Sequence, residues 1–248
     1  MRIYKNVYDL VSEIYRDVWE MGLVAHPNTM QNKVVKGDDD FSTKELLNYG
    51  YCLLSLDKED YLYLADPRMK EYVRTELADR TADRASNPGN SWKIREDVWS
   101  KFLVEDGRFD YTYSERLIPY LRKVIIPELW NNPDSRQCVI PIFKAMDLNY
   151  ISGKKRVPCS LNYQFLIREG KVHILYTMRS CDVMTHFGVD VALAWLIKEF
   201  VKDELNTAAG DKIVESGYLF HNIASLHCYK KDWAKLKTCI ENVRNKTL

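Results

Sequence analysis

Apolar residues recur at helical spacing in several segments of the chain. In residues 5–21 the apolar side chains share one helical face, which predicts an amphipathic surface helix packed on a core. In residues 190–204 nearly all of one side is apolar, so we expect a helix buried against a sheet. Further helices are predicted over 68–79, 115–130 and 231–243, and two prolines interrupt the second of these.

Short apolar runs predict strands between these helices. Residues 161–168 and 172–178 are separated by Glu169-Gly170-Lys171, a sequence that favours a hairpin. Two more strands are predicted at 138–143 and 218–223. Because the strands are expected to pair as antiparallel neighbours rather than to alternate with helices, the pattern favours the α+β class. The expected architecture is a mixed or antiparallel sheet covered by helices.

Two long segments give no clear element. Residues 25–60 combine turn residues, an acidic run and short apolar pieces, while residues 80–98 are polar with a loop at 87–90. Neither segment is biased enough in composition to predict a linker. With 248 residues and 46% apolar content, the chain is expected to form a single domain over residues 1–248.

The charge balance limits the partners to be expected. Lys and Arg number 36 against 35 Asp and Glu, a net charge of +1, so a nucleic-acid polymer is not an expected ligand. No signal-peptide core or membrane-spanning apolar stretch occurs, and a cytoplasmic protein without membrane contact is expected. The six cysteines include no C-x-x-C pair, which predicts free thiols in a reducing compartment and no metal site.

Two short segments could carry chemistry. Cys159 stands before a predicted strand, and a thiol must lose its proton to act as a nucleophile. Arg136 and Arg179 are candidate cations that would favour the thiolate. Arg179 and Ser180 follow the next strand, and a guanidinium beside a hydroxyl binds phosphate well. The alternatives are an inert buried cysteine and a solvated arginine at the end of a strand.

These segments resemble the thymidylate synthase family. Pro158–Phe165 resembles the family's Pro-Cys-His-x-x-x-Gln-Phe pattern, with Ser160 in place of His, and Arg179–Asp182 resembles its Arg-Ser-x-Asp signature. Pro133–Gln137 resembles Pro-Asp-Ser-Arg-Arg with glutamine in the last place, and Ser225–Tyr229 resembles the family's His-x-Tyr segment. The resemblance implies the thymidylate synthase fold and a homodimer that forms through the sheet.

The resemblance also implies roles. Cys159 would attack carbon 6 of a pyrimidine nucleotide, and 5,10-methylenetetrahydrofolate would be the cosubstrate, with no metal. Asp182 would anchor both folate and base, and Glu76 would be the general acid/base, with a solvated helical glutamate as the alternative. The implied nucleotide-binding residues are Arg179, Ser180, Gln164, His227, Tyr229, Tyr113 and, across the dimer interface, Arg136. Lys33 is a candidate for a further phosphate-binding residue near the N-terminus.

Asp190 indicates which base is read. Counted from Arg179-Ser180, it stands where thymidylate synthases carry an asparagine that pairs with uracil. A carboxylate accepts a hydrogen bond from the amino group of cytosine and favours protonation of the neighbouring ring nitrogen. The alternative is a helix N-cap. Ser160 and Met178 are both typical of the family's hydroxymethylase branch. Together with them, Asp190 predicts hydroxymethylation of dCMP, a reaction that the resemblance associates with phages. A dCMP methylase, a CMP hydroxymethylase and a non-catalytic nucleotide- or RNA-binding relative remain alternatives.

Overall fold

Eight strands form a mixed sheet at the centre of the computed structural model, which describes residues 1–211 and 213–245. The described strands are β1 Arg2–Tyr4, β2 Leu23–Ala25, β3 Thr29–Met30, β4 Lys33–Val34, β5 Thr43–Leu53, β6 Val139–Pro141, β7 Ser160–Arg168, β8 Lys171–Met178, β9 Cys181–Asp182 and β10 Glu215–Tyr229. The order across the sheet is β1-β5-β10-β8-β7-β6, with β2 beside β5 and β9 beside β10. Strands β3 and β4 pair separately.

The helices pack against the sheet and against one another. Within the described residues they are α1 Val7–Met21, α2 Met69–Thr81, α3 Glu96–Trp99, α4 Tyr113–Tyr120, α5 Ile126–Asn131, α6 Phe187–Ala209 and α7 Trp233–Arg244. Helix α1 packs on β5, α6 packs on β8 and β10, and α2 packs on α6. No helix in residues 1–211 and 213–245 is long and apolar enough to cross a membrane.

The β7–β8 hairpin agrees with the sequence prediction. Its turn residues, Glu169 and Gly170, have positive φ angles of 52° and 67°, as a tight two-residue hairpin turn requires. The sheet is mixed, in agreement with the predicted architecture, and its parallel pair, which the strand pattern did not predict, belongs to a β-α-β unit formed by β8, α6 and β10. A long helix between two strands carries the chain back to the end at which it started, so the second strand runs parallel to the first.

The predicted helix over 115–130 is divided. A π-helical turn, Leu121–Ile125, separates α4 from α5. Pro119 lies inside α4 and Pro127 lies in the first turn of α5. Proline has no N–H group to donate to the preceding turn, so regular α-helical hydrogen bonding cannot continue through both residues.

Strand β5 is the largest element that the sequence pattern does not predict. It crosses the segment 25–60, and it pairs with β10 from Thr43 opposite Tyr229 to Leu53 opposite Leu219. Polar and apolar residues do not alternate cleanly along β5: Leu46 and Leu47 are adjacent after Glu45, and Asn48 has a positive φ of 52°. Pairing on both sides, with β1 and β10, stabilises a strand whose own pattern is weak.

The two faces of the sheet differ in burial. On the helix-covered face, Tyr163, Phe165 and Tyr176 are at most 1% exposed. On the opposite face, Leu166, Leu175 and Phe220 are only half-buried. The second face therefore presents apolar side chains that helices do not cover.

Candidate active site

A cavity of about 520 Å³ lies at the open end of the β7–β8 hairpin, where Cys159 precedes β7 and Arg179 follows β8. All of the predicted site residues except Arg136, Gln164 and the candidate Lys33 line it. The lining set is Glu76, Tyr113, Cys159, Arg179, Ser180, Asp182, Asp190, His227 and Tyr229. Folding therefore gathers side chains that the sequence distributes over α2, α4, α6, β10 and the ends of the hairpin.

Cys159 is half-buried and has two nitrogen donors near its sulfur atom. Gln31 Nε2 lies 3.4 Å from Cys159 Sγ, and Arg179 Nη2 lies 3.7 Å from it. Burial raises the pKa of the Cys159 thiol, whereas the Arg179 charge favours the thiolate. Gln31 also accepts a hydrogen bond from the Val157 N–H at 3.3 Å, so its amide group spans the segment around Pro158.

Arg179 is tied to the chain that carries the cysteine. Its Nε donates to the Pro158 carbonyl at 2.9 Å, and its Nη2 donates to the Val157 carbonyl at 3.2 Å. The Arg179 backbone N–H also donates to the Cys159 carbonyl at 2.8 Å. These bonds orient the guanidinium at the cavity wall but use part of its donor capacity.

Asp190 lies in the first turn of α6 and not at its N-cap. The helix begins at Phe187, His186 is the cap residue, and the Asp190 N–H donates to the His186 carbonyl at 2.9 Å. The N-cap interpretation is therefore wrong. The residue is 7% exposed, and its carboxylate accepts a hydrogen bond from Cys181 Sγ at 3.6 Å. Burial raises the pKa of Asp190 to about 7, although the Arg80 charge favours ionisation.

Glu76 is part of a buried ion pair on α2. Its carboxylate lies 2.7 Å from Arg80 Nε, and its side chain is only 12% exposed, so the solvated-glutamate interpretation is wrong. The Ser91 hydroxyl donates to the same carboxylate. Arg80 is 3% exposed, with its guanidinium carbon 4.1 Å from the centre of the Tyr113 ring. Sequence reasoning did not select Arg80, although its spacing of four residues from Glu76 is a recognisable signal.

Ser160 lies behind the cavity in a hydroxyl network. It is fully buried, and its Oγ lies 3.1 Å from the Tyr113 hydroxyl and 2.5 Å from the Tyr176 hydroxyl. The Tyr176 ring stacks on Tyr163 with 4.4 Å between ring centres. Serine is small enough for this closely packed group of tyrosines, and its hydroxyl both donates and accepts.

Strand pairing brings together the residues predicted for the folate and the sugar. Asp182 on β9 pairs with His227 on β10, and the Asp182 carboxylate accepts from the Met184 N–H at 3.0 Å. The His227 and Tyr229 rings are 5.0 Å apart. Because alternate residues of a strand face the same side, both rings reach the cavity.

Arg136 and Gln164 lie outside the cavity lining. Arg136 is exposed, and its carbonyl oxygen accepts a hydrogen bond from Gln164 Nε2 at 3.0 Å. Gln164 stands between Tyr163 and Phe165 on β7, so its side chain points to the face that helices do not cover. Neither residue reaches the cavity of its own chain, and a contribution of Arg136 to a partner subunit stays a prediction.

The cavity also contains residues that sequence reasoning missed. Trp92, Trp99, Phe102 and Phe109 form an aromatic wall, and Arg156 lies beside it. Within the described residues, the indole N–H groups of Trp92 and Trp99 are buried without a hydrogen-bond partner. No group of three or more metal-ligating side chains was found in the same residues. The polar segment 80–98 gave no periodic signal that could have revealed Trp92 as a cavity residue.

Comparison with known proteins identifies relatives of this chain. The family model for thymidylate synthase matches residues 86–247. A deoxycytidylate 5-hydroxymethyltransferase of Enterobacteria phage T4 is 30% identical over 172 residues, which are 65% of this chain and 68% of that protein. A putative thymidylate synthase of Methanosarcina barkeri is 28% identical over 141 residues, covering 54% of this chain and 60% of that protein.

The structural comparison supports the same assignment. Thermostable thymidylate synthase A from Bacillus subtilis superposes with a TM-score of 0.65 at 16% identity, over 96% of this chain and 84% of that one. This likeness confirms the predicted α+β fold. The family model covers more than half of the chain, including the segment from Cys159 to Tyr229. The chain therefore belongs to the thymidylate synthase family, whose members transfer a one-carbon unit to a pyrimidine nucleotide.

Proposed function

We propose that this protein is a deoxycytidylate hydroxymethylase. It would join a one-carbon unit from 5,10-methylenetetrahydrofolate to carbon 5 of dCMP and add water, giving 5-hydroxymethyl-dCMP and tetrahydrofolate. The observation that carries the proposal is the buried Asp190 carboxyl group, whose pKa is about 7, in the same cavity as Cys159. Residues 1–248 would act as one catalytic domain.

The reaction begins at Cys159. The Arg179 charge and the Gln31 amide favour the thiolate, which adds to carbon 6 of the base. The electron pair of the 5,6 double bond then makes carbon 5 nucleophilic. When Cys159 leaves at the end of the reaction, the double bond is restored and the thiolate is regenerated.

Asp190 would distinguish cytosine from uracil. Cytosine presents an amino donor beside a basic ring nitrogen, whereas uracil has no basic atom at that position. A carboxyl group with a pKa near 7 holds a proton that it can share with this nitrogen, while its other oxygen accepts from the amino group. A proton on the ring nitrogen withdraws electrons and makes carbon 6 easier for Cys159 to attack.

The aromatic wall fits the folate. Flat rings such as a pterin stack on indole and phenyl groups, and the free N–H groups of Trp92 and Trp99 would meet its acceptor atoms. Asp182 would accept from its amino and ring N–H donors. The folate supplies the carbon atom at the oxidation level of formaldehyde. Glu76, held by Arg80 and Ser91, would orient the water that completes the hydroxymethyl group.

Product mass tests the proposal directly. The protein is incubated with methylenetetrahydrofolate and, separately, dCMP, CMP or dUMP, and the nucleotides are analysed by mass spectrometry. We expect dCMP to gain the elements of formaldehyde, with tetrahydrofolate as coproduct. A gain of a methylene unit together with dihydrofolate would instead identify a methylase. Faster conversion of CMP would identify a ribonucleotide enzyme, and no product from any nucleotide would favour a non-catalytic relative.

Nucleotide affinity is expected to depend on pH through Asp190. Its pKa of about 7 means that the shared proton is present below neutrality and lost above it. In Cys159→Ala, which removes the titration of the thiol, dCMP affinity should fall about tenfold per pH unit above pH 7. Calorimetric titration across this range measures the slope. The additional change Asp190→Asn should remove it, and equal slopes in the two proteins would contradict the assigned role.

A homodimer would complete the phosphate site. We propose that the half-buried apolar face of the sheet, with Leu166, Leu175 and Phe220, packs against a second copy and that Arg136 enters the partner's cavity. Within the segment Pro133–Gln137, Gln137 carries no charge, so Arg136 would be the cation that this segment contributes.

Subunit complementation is expected to reveal this exchange. Cys159→Ala and Arg136→Ala homodimers should each have little activity. Mixing equal amounts under conditions of subunit exchange should restore about a quarter of wild-type activity, because random pairing makes half of the dimers mixed and each mixed dimer has one intact site. Activity that stays at the level of the separate variants, with exchange verified by native mass spectrometry, would argue against Arg136 acting across the interface.

A further inference from the structure

Three cations surround the Phe102 ring at the cavity. The Arg156 guanidinium carbon lies 5.0 Å from the ring centre, Lys33 Nζ lies 5.7 Å from it and Lys101 Nζ lies 5.8 Å from it. Arg156 and Lys101 line the cavity. In the part of the chain that the structure describes, none of the three forms an ion pair with a carboxylate. Positive charge is therefore concentrated here without a direct ion pair, and the carboxylates nearby are Asp97, which acts on Lys101, and Asp110, which accepts from the Arg156 backbone.

Arg156 is the buried member of this group, with 7% exposure. Its guanidinium carbon lies 4.9 Å from the Trp99 ring centre, 5.1 Å from Tyr111 and 5.5 Å from Phe109. Aromatic rings attract the cation but do not replace hydrogen-bond acceptors for its five N–H groups. Its backbone N–H donates to Asp110, but no side-chain hydrogen bond links Arg156 to any described residue. Its guanidinium nitrogens are not among the fully buried, unpartnered atoms of the described residues, so they are open to the cavity, where a ligand can supply an acceptor.

The two lysines add to this positive potential. The pKa of Lys101 is lowered by burial and by repulsion from Lys33 and Lys231. At the same time, Arg179 uses two of its nitrogens on the carbonyls of Pro158 and Val157. Arg156, Lys33 and Lys101 therefore offer N–H donors to a ligand, whereas Arg179 already uses part of its donors on backbone carbonyl groups.

We propose that Arg156, flanked by Lys33 and Lys101, binds an oxyanion of a ligand held in the cavity. The group is a phosphate of the nucleotide or a carboxylate of the folate glutamate, and the identity of these two ligands rests on the proposed function. The planar edge of a guanidinium forms paired, charge-assisted hydrogen bonds with either group, and the lysines contribute charge. The aromatic rings around the guanidinium accept no hydrogen bond of ordinary strength, so its N–H donors remain available to this group.

This assignment can be tested with pairs of ligands in which one member carries the oxyanion and the other lacks it or has it blocked. Calorimetry would compare dCMP with 2′-deoxycytidine, and tetrahydrofolate with its diester, in which both glutamate carboxylates are blocked. In Arg156→Met, which keeps the length and apolar contacts of the side chain, we expect one charged ligand to bind about 10- to 100-fold more weakly. Its neutral counterpart should bind as in the wild type, and the affected pair identifies the source of the oxyanion.

Two further variants of the protein serve as a control and as an independent test. Arg16→Met, an exposed arginine on α1, is the matched control and should change neither pair. Lys33→Gln combined with Lys101→Gln changes two side chains that are not buried, and it should weaken the same charged ligand several-fold while reducing the salt dependence of its binding. Arg156→Met should unfold at about the same temperature, because methionine keeps the apolar contacts with the surrounding rings and no ion pair within the described residues is lost.

Wild-type affinity of Arg156→Met for both charged ligands would overturn the proposal. So would an equal loss for a charged ligand and its neutral counterpart, since that indicates lost packing. Neither measurement requires turnover, so failure to detect hydroxymethylation would leave this test intact.

Discussion

Cys159→Ala is expected to lower dCMP turnover by at least about a thousandfold while leaving dCMP binding within a few-fold of wild type. The thiolate forms the bond to carbon 6 that activates carbon 5, and no other thiol can take its place. Cys181 also lines the cavity, but it is 2% exposed and hydrogen-bonded to Asp190, and burial raises its pKa well above the usual range. Initial rates and calorimetric dissociation constants measure the two effects.

The matched control is Cys239→Ala. Cys239 lies on α7, is 3% exposed and is not among the cavity residues, so the same chemical change should leave the rate unchanged. Mass spectrometry of denatured wild-type protein should also detect a nucleotide adduct that Cys159→Ala lacks. Near-normal turnover by Cys159→Ala would disprove the covalent mechanism, whatever the product.

Asp190→Asn is expected to shift the preference for dCMP over dUMP by at least about a hundredfold. An amide has no titratable proton to share with the ring nitrogen of cytosine, so attack by Cys159 on dCMP slows. The same amide accepts from the ring N–H of uracil and donates to its carbonyl group, so dUMP binding improves. The ratio of kcat/KM for the two nucleotides measures the shift. An unchanged ratio would remove Asp190 from base recognition and leave the cytosine assignment without its main support.

The same substitution should stabilise the protein at alkaline pH. A carboxyl group whose pKa rises from 3.8 to about 7 on folding makes the folded state less stable as the pH rises between these values, and the loss is complete above pH 7. The asparagine variant lacks this loss, so its advantage in melting temperature should be larger at pH 8 than at pH 5. Asp203→Asn is the control on the same helix, because Asp203 is 68% exposed on the surface of α6.

The sequence pattern predicted the elements that are stabilised by interactions between residues close together in the chain. The β7–β8 hairpin depends on a short turn between two apolar runs, and α1 depends on one apolar face, so both appear near their predicted bounds. Strand β5 could not be found in this way, because its stability comes from pairing with β1 and β10 at distant sequence positions. The extension of β10 beyond the predicted 218–223 to Glu215–Tyr229 has the same origin, since β5 pairs with it as far as Tyr229.

The candidate site also has some features that the sequence predicted and others that only the folded structure shows. Cys159, Arg179, Ser180, Asp182 and Asp190 lie within one stretch of the chain. Their types and spacing made a thiol nucleophile and an anion site candidates, and their resemblance to the thymidylate synthase motifs supplied the predicted roles, including a carboxylate that reads cytosine. The sequence by itself therefore determined which reactive side chains stand close together along the chain and which family they resemble, because residue type and spacing are properties of the chain before it folds. Only the tertiary structure decided that the pKa of Asp190 is raised and that Gln31, Arg80 and Arg156 line the cavity. Burial and contacts between distant segments determine desolvation and charge pairing, and neither exists until the chain has folded.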